Sequence, residues 1–178
     1  QRQMCIRDRY NRAGELHVRL ALDPGSSFRE GPARLDQNLL VTVIGNLVDN
    51  AIEAVKDLPE AQRWVWISLD DSGSDIVLIV ADGGPGVPQD LRERIFEEGF
   101  STKGPEGRGI GLALVRGRVA QVGGGVQVGD DPRGGARFVV KFPGRGTRAL
   151  TSVEAPQRGS GDGDQSGEGD WFDPGPDR

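Results

Sequence analysis

The 178-residue chain carries 22 Lys and Arg against 27 Asp and Glu, is 35% hydrophobic and holds one cysteine, Cys5. That supports a single sizeable core, rules out an intramolecular disulfide in keeping with a reducing compartment, and includes neither a membrane-length apolar run nor a signal peptide. The formal charge of −5 sits in residues 151–178, where seven acids face two arginines, while the remainder balances 20 against 20, so bulk attraction to nucleic acid or an anionic membrane is excluded.

Residues 1–10 have no clean period and read as a non-native or disordered leader. From Glu15 to Leu22 apolar Leu16, Val18, Leu20 and Leu22 alternate with polar or small residues, which predicts a half-buried strand with His17 on its outer face. The longest periodic segment runs from about Leu35 to Leu58, where Leu40, Ile44, Leu47, Val48, Ala51, Ile52 and Val55 form one helical stripe. Asn46, Asp49, Asn50, Glu53 and Asp57 occupy the opposite arc. Strand patterns at 64–69 and 75–81, joined by a turn-rich stretch, predict an antiparallel hairpin. A short helix over 88–96, a longer one over 109–122 and two last strands at 126–128 and 136–142 complete the order.

Strands and helices in this irregular order imply an α+β fold, a two-layer sandwich with helices packed on one face of a mixed, mainly antiparallel sheet. The folded domain is expected to span 11–145. Residues 146–178, rich in Gly, Ser, Pro and Asp, read as a disordered acidic tail. Trp171 and Phe172 are its only aromatics, and the composition favours a solvated tail over a partner contact there.

Three clusters carry chemistry. Asn46 and Asn50, four residues apart on the polar arc, stand where a solvated helix face favours Lys, Glu or Gln. Their carboxamide oxygens suit a hard cation such as Mg²⁺, and a weak helix surface explains the pair equally well. Asp82 follows directly on an apolar strand, at the mouth of the core, where a carboxylate can accept from the exocyclic amine of adenine. Gly84 and Gly86 let backbone approach a flat base, although Asp-Gly and Pro-Gly are also ordinary turn signals. Gly107, Gly109 and Gly111 precede Leu112 at the start of a helix, a phosphate-binding arrangement that by itself is weak and lacks the context of a P-loop or a dinucleotide fold. Between the last two clusters, residues 95–103 hold two aromatics, two hydroxyls and a lysine in a segment suited to a movable flap.

Taken in this order, the clusters resemble the catalytic, ATP-binding domain of sensor histidine kinases in the GHKL superfamily, nearest to the citrate and C4-dicarboxylate sensors. Residues 45–54 are similar to the N box, 82–86 to the G1 box, 95–100 to the F box and 107–112 to the G2 box, and the resemblance covers roughly 15–143. It implies ATP and Mg²⁺ as ligands, with Asn50 holding the metal and Asn46 assisting. Asp82 would take the adenine amine, and Gly84, Gly86, Val87 and Glu53 would line the nucleotide. Ser101, Thr102, Lys103, Gly107, Arg108, Gly109, Ile110, Gly111 and Leu112 would lie near the phosphates, with Lys103 as a mobile positive charge. Gly83, where asparagine is frequent, and Ala136, where threonine is frequent, depart from the pattern.

The implied activity is two-component signal transduction: phosphotransfer from ATP to a histidine on a dimerisation domain that this stretch lacks, then to a response regulator. The setting is the cytoplasmic end of a membrane-anchored sensor. His17, the one histidine, has no following acidic partner and does not fit as acceptor. An ATP-hydrolysing relative or an anti-sigma serine kinase is disfavoured because Asn46 stands where an acidic residue would be needed, and a carboxamide is no general base. Intact glycines with Asn50, Asp82 and Lys103 argue against a non-catalytic binding module.

Overall fold

The computed structural model describes residues 6–27, 36–71, 73–100 and 109–143. Among the described residues three helices, α1 (Ile6–Glu15), α2 (Gln37–Val55) and α3 (Gly111–Gln121), accompany five strands, β1 (Arg19–Leu22), β2 (Trp64–Asp70), β3 (Ile76–Asp82), β4 (Gly125–Asp130) and β5 (Ala136–Phe142). The strands form one sheet in the order β1-β2-β3-β5-β4, with β1 parallel to β2 and every other pair antiparallel. This is the mixed, mainly antiparallel sheet that the element order implied.

α2 begins at Asp36, whose carboxylate accepts the Asn38 N–H at 2.9 Å and so satisfies one of the orphan donors of the first turn. By length and composition α2 could cross a membrane, but its apolar side is spent on the sheet. Leu47, Val48, Ala51, Ile52 and Val55 are buried as the spacing requires. In the first two turns Leu39 and Val43 take the buried positions, while Leu40 and Ile44 are half-buried at the stripe's border. Alternate residues of the strands meet this helix layer: Val65 of β2, Ile76, Leu78 and Val80 of β3, and Phe138, Val140 and Phe142 of β5 are all buried. From α3, Val115 and Val119 close the same core.

Three expectations are corrected. Residues 6–10, read as part of a non-native or disordered leader, form the first half of α1, where Ala13 is 1% exposed against the core and Arg9 pairs with Asp49 of α2 at 2.9 Å. That helix owes its place to tertiary packing, which no local period announces. The strand expected from Glu15 starts only at Arg19. His17 sits in the turn that ends α1, in the left-handed region at φ 55°, and its N–H bonds the Gly14 carbonyl at 3.1 Å. Finally, the short helix expected over 88–96 is two single 3₁₀ turns, Gln89–Leu91 and Arg94–Phe96, as suits a segment with only Ile95 and Phe96 buried.

Candidate functional site

A cavity of about 770 Å³ opens between the polar arc of α2, the end of β3, the start of β5 and the start of α3. Its position follows from the fold: α2 turns its apolar side to the sheet and leaves its opposite arc facing the edge where β3 stops. Of the sequence-predicted residues, Asn46, Asn50, Glu53, Asp82, Gly86, Val87, Gly109, Ile110, Gly111 and Leu112 all line it. Ser101, Thr102, Lys103, Gly107 and Arg108, with the part of the expected flap beyond Phe100, lie outside the described residues.

At one end stands Asp82, the last residue of β3 and only 2% exposed. Its Oδ1 accepts the Gly84 N–H at 2.9 Å and the Ala136 N–H at 3.4 Å, so two backbone donors fix the carboxylate in an otherwise apolar wall. Gly84 therefore acts on Asp82 from behind and is not itself part of the lining. The β4–β5 turn presses on the same point. Gly135, at φ 89°, lies so close to the Asp82 carbonyl that any Cβ would collide with it, and only glycine combines that backbone with that approach. Gly83 is equally constrained, because a side chain there would run into the Gln62 carbonyl and the Trp64 indole. That is the physical reason for the departure from the asparagine pattern.

The turn is held by Asp131, 5% exposed, whose Oδ1 accepts the Arg133 backbone N–H at 3.0 Å and the Arg133 Nε–H at 2.8 Å. Burial alone would push the Asp131 carboxyl up, but the hydrogen bonds and charge of Arg133 outweigh it and hold the group below its usual value. Arg133 in turn lies over the rings of Trp64 and Trp66, at 4.6 and 4.7 Å.

The other end is built by α2 against α3. Asn46 donates from Nδ2 to the Thr42 carbonyl at 2.8 Å, which leaves its Oδ1 turned towards α3. A Cβ at Gly111 would lie 3.0 Å from that oxygen, so the glycine permits the helix start to close on Asn46. The Gly109 carbonyl accepts the Gly99 N–H at 3.3 Å, pinning together the two ends of the stretch between them.

Sequence reasoning missed part of the lining: Arg12, Asp49, Ala54, Pro85, Ile95, Phe100, Ala136 and Phe138 also face the cavity. Ala136 and Phe138 share the inner face of β5 and were discoverable from its alternation. Arg12 was not, because α1 is placed by packing alone. Asp49 and Glu53 on the α2 arc are ion-paired, Asp49 with Arg9 at 2.9 Å and Glu53 with Arg12 at 3.0 Å and Lys56 at 2.5 Å.

The dimensions and donors fit a nucleotide. A buried carboxylate at one end can accept from an amine, and a glycine-permitted helix start at the other can offer backbone N–H groups. Among the described residues no group of three His, Cys, Asp or Glu could hold a metal ion. The carboxamide oxygens of Asn46 and Asn50 could serve a cation together with phosphate and water, a coordination that Mg²⁺ tolerates.

Residues 35–146 match the histidine kinase-, DNA gyrase B-, and HSP90-like ATPase family, and the chain belongs to it. Within that family it is a histidine-kinase-type catalytic ATPase domain, homologous to sensor histidine kinases. It is 42% identical over 133 residues to sensor protein CitS of Halalkalibacterium halodurans, covering 75% of this chain and 25% of that protein. Against sensor protein CitS of Bacillus subtilis the identity is 41% over 143 residues, or 80% and 26% of the two chains. Sensor histidine kinase DcuS of Escherichia coli is 36% identical over 139 residues, 78% of this chain and 25% of DcuS. The chain thus spans about a quarter of the length of the curated relatives it matches.

Among solved structures, full-length ShkA in complex with AMPPNP superposes with a TM-score of 0.60 at 31% identity, over 75% of this chain and 27% of that one. The catalytic domain of histidine kinase ThkA, in a nucleotide-free form, gives 0.63 at 25% identity, over 78% and 90%. The mixed sheet with its helix layer is therefore the architecture of histidine kinase catalytic domains.

Proposed function

We propose that this domain binds Mg-ATP in the α2–β3 cavity and delivers the γ-phosphoryl group to a histidine of a helical dimerisation domain, as the catalytic part of a two-component sensor. The observation that carries the reading is the polarity of the cavity: a buried, backbone-anchored Asp82 at one end, and carboxamides facing a helix N-terminus at the other. Asp82 accepts the adenine amine, with Gly86 and Val87 beside the base. Asn50 holds Mg²⁺ with Asn46 assisting, and the metal when bound neutralises phosphate charge. Gly109, Ile110, Gly111 and Leu112 present the start of α3 to the phosphates, while Ser101, Thr102, Lys103, Gly107 and Arg108 serve them from the flap.

In the transfer, the bond from the γ-phosphorus to the bridging oxygen of ADP breaks as a bond to an imidazole nitrogen forms. Free hydrolysis is disfavoured by this chain's own residues. Asn46 cannot take a proton from water, and the nearby Asp49 and Glu53 carboxylates are already engaged with cations. Exposed Ile110, at the cavity lining, and Leu114, one helical turn further along α3, are 50% and 38% accessible and provide an apolar footing for the acceptor helices. Downstream, a response regulator receives the phosphoryl group, and the domain works at the cytoplasmic end of a membrane-anchored sensor.

The test is incubation with γ-labelled ATP, alone and with a helical hairpin bearing an acceptor histidine. The chain should bind Mg-ATP without labelling itself, since His17, its one histidine, sits in the turn after α1 and is not part of the cavity lining. The added hairpin should become labelled, weakly, because no tether raises its effective concentration. Stable self-labelling, or rapid release of phosphate in the absence of the hairpin, would overturn the assignment.

A further inference from the structure

The charge of the cavity wall poses a problem for a polyanionic ligand. Among its described lining residues three carboxylates, Asp49, Glu53 and Asp82, face one cation, Arg12. Arg12 comes from α1, ahead of residue 35 where the family match begins, so nothing in the four clusters accounts for it. We propose that Arg12 is a nucleotide-binding residue that contacts the α- and β-phosphates of the ATP bound in this cavity, an inference that rests on the ATP-binding reading above.

Three observations support it. First, Arg12 stands beside Glu53 and Asp49, 3.0 and 3.9 Å from their carboxylates, hence partway along the α2 wall, with Ala54 towards the Asp82 end and Asn46 and Gly111 at the other. A nucleotide laid with its base on Asp82 and its terminal phosphate towards α3 passes this point with its inner phosphates. Second, the side chain is 38% exposed and borders the open cavity, so the guanidinium is not locked in the core. Third, Arg12 can turn to a phosphate without orphaning Glu53, because Lys56 grips the other Glu53 oxygen, Oε1, at 2.5 Å from outside the cavity. The planar fork of arginine matches two phosphate oxygens at once, which an ammonium does not. Glu53 thus acts as the parking partner that holds Arg12 at the cavity wall.

The experiment is a titration of wild type, Arg12→Gln and Arg12→Lys with adenosine, ADP and ATP, each with Mg²⁺ and at two salt concentrations, with melting temperatures recorded in parallel. Arg12→Gln should lose roughly tenfold or more in affinity for ADP and ATP, with adenosine affinity unchanged. Arg12→Lys should recover part of the loss, and the wild-type preference for ADP over adenosine should shrink with salt. Unchanged ADP and ATP affinity in Arg12→Gln, or an equal loss for adenosine, would mean that Arg12 only ties α1 to α2 and would overturn the inference. Failure of wild type to bind any of the three would instead sink the ATP-binding reading itself.

Discussion

At the scale of single residues, the proposed function makes Asp82 the group that selects the base. An ionised carboxylate has only acceptor oxygens, so Asp82, held in place by two backbone N–H groups, would favour an amino group over a carbonyl. Asp82→Asn should weaken ATP binding by about 1.5–3 kcal/mol, the range for a charge-assisted hydrogen bond, with the melting temperature little changed. A competition between ATP and GTP checks the premise: wild type that binds both equally well would refute the role. Asn50 makes a separate claim. Its carboxamide lines the cavity on the same arc as Asn46, and Asn50→Ala should flatten the dependence of ATP affinity on Mg²⁺ while leaving metal-free binding intact. An unaltered Mg²⁺ titration would return this pair to the role of a weak helix surface. Neither substitution touches the buried stripe of α2, so folding and binding can be read apart.

Elements position these residues more than the residues position themselves. The β4–β5 turn reaches Asp82 only because Asp131 ties the turn down through Arg133 and places Gly135 against the Asp82 carbonyl. The Asp131 carboxyl is held below its ordinary value of 3.8, so the folded state binds its proton less readily than the unfolded chain. Its contribution to stability is then complete above that value and is lost as the pH falls through the lowered one. Asp131→Asn should accordingly lower the melting temperature at neutral pH, with the gap to wild type closing in acid below about pH 4. A gap of equal size at pH 7 and pH 3 would show that the turn does not depend on this charge. α1 illustrates the same dependence from the other side, since its Arg9 and Arg12 reach Asp49 and Glu53 of α2.

For the whole molecule, core and cavity share a wall. Phe138 is 1% exposed, meets Phe96 edge to face at 6.4 Å, and also lines the cavity. Phe138→Ala should cost about 3–5 kcal/mol of stability, and it should loosen nucleotide binding at the same time. On the neighbouring strand Val80, equally buried but absent from the lining, serves as the control. Val80→Ala should destabilise in a denaturant titration without changing affinity beyond the unfolded fraction. If both variants lowered affinity alike, binding would be following global stability alone.

Much of this was legible in the chain itself. The α2 stripe, the β2–β3 hairpin, the span of β5 and the glycine clusters are local statements, each made by period or by turn chemistry within about twenty residues. The clusters point to the same cavity because each marks the end of an element, and the ends of elements are where a two-layer fold leaves room. The start of β1, the parallel pairing of β1 with β2 and the existence of α1 were not legible. An alternation from Leu16 to Leu22 looks the same whether its first residues close a helix or open a strand, and the choice is made by the helix layer that buries Ala13 and Val18. Arg12 was hidden for the same reason. Sequence alone singled out residues of α2, β3 and the start of α3 that line the cavity, because backbone period and glycine geometry are properties of short segments. Only the tertiary structure decided that a guanidinium from α1 joins their carboxylates, because contacts between segments some forty residues apart are settled by packing and charge in space.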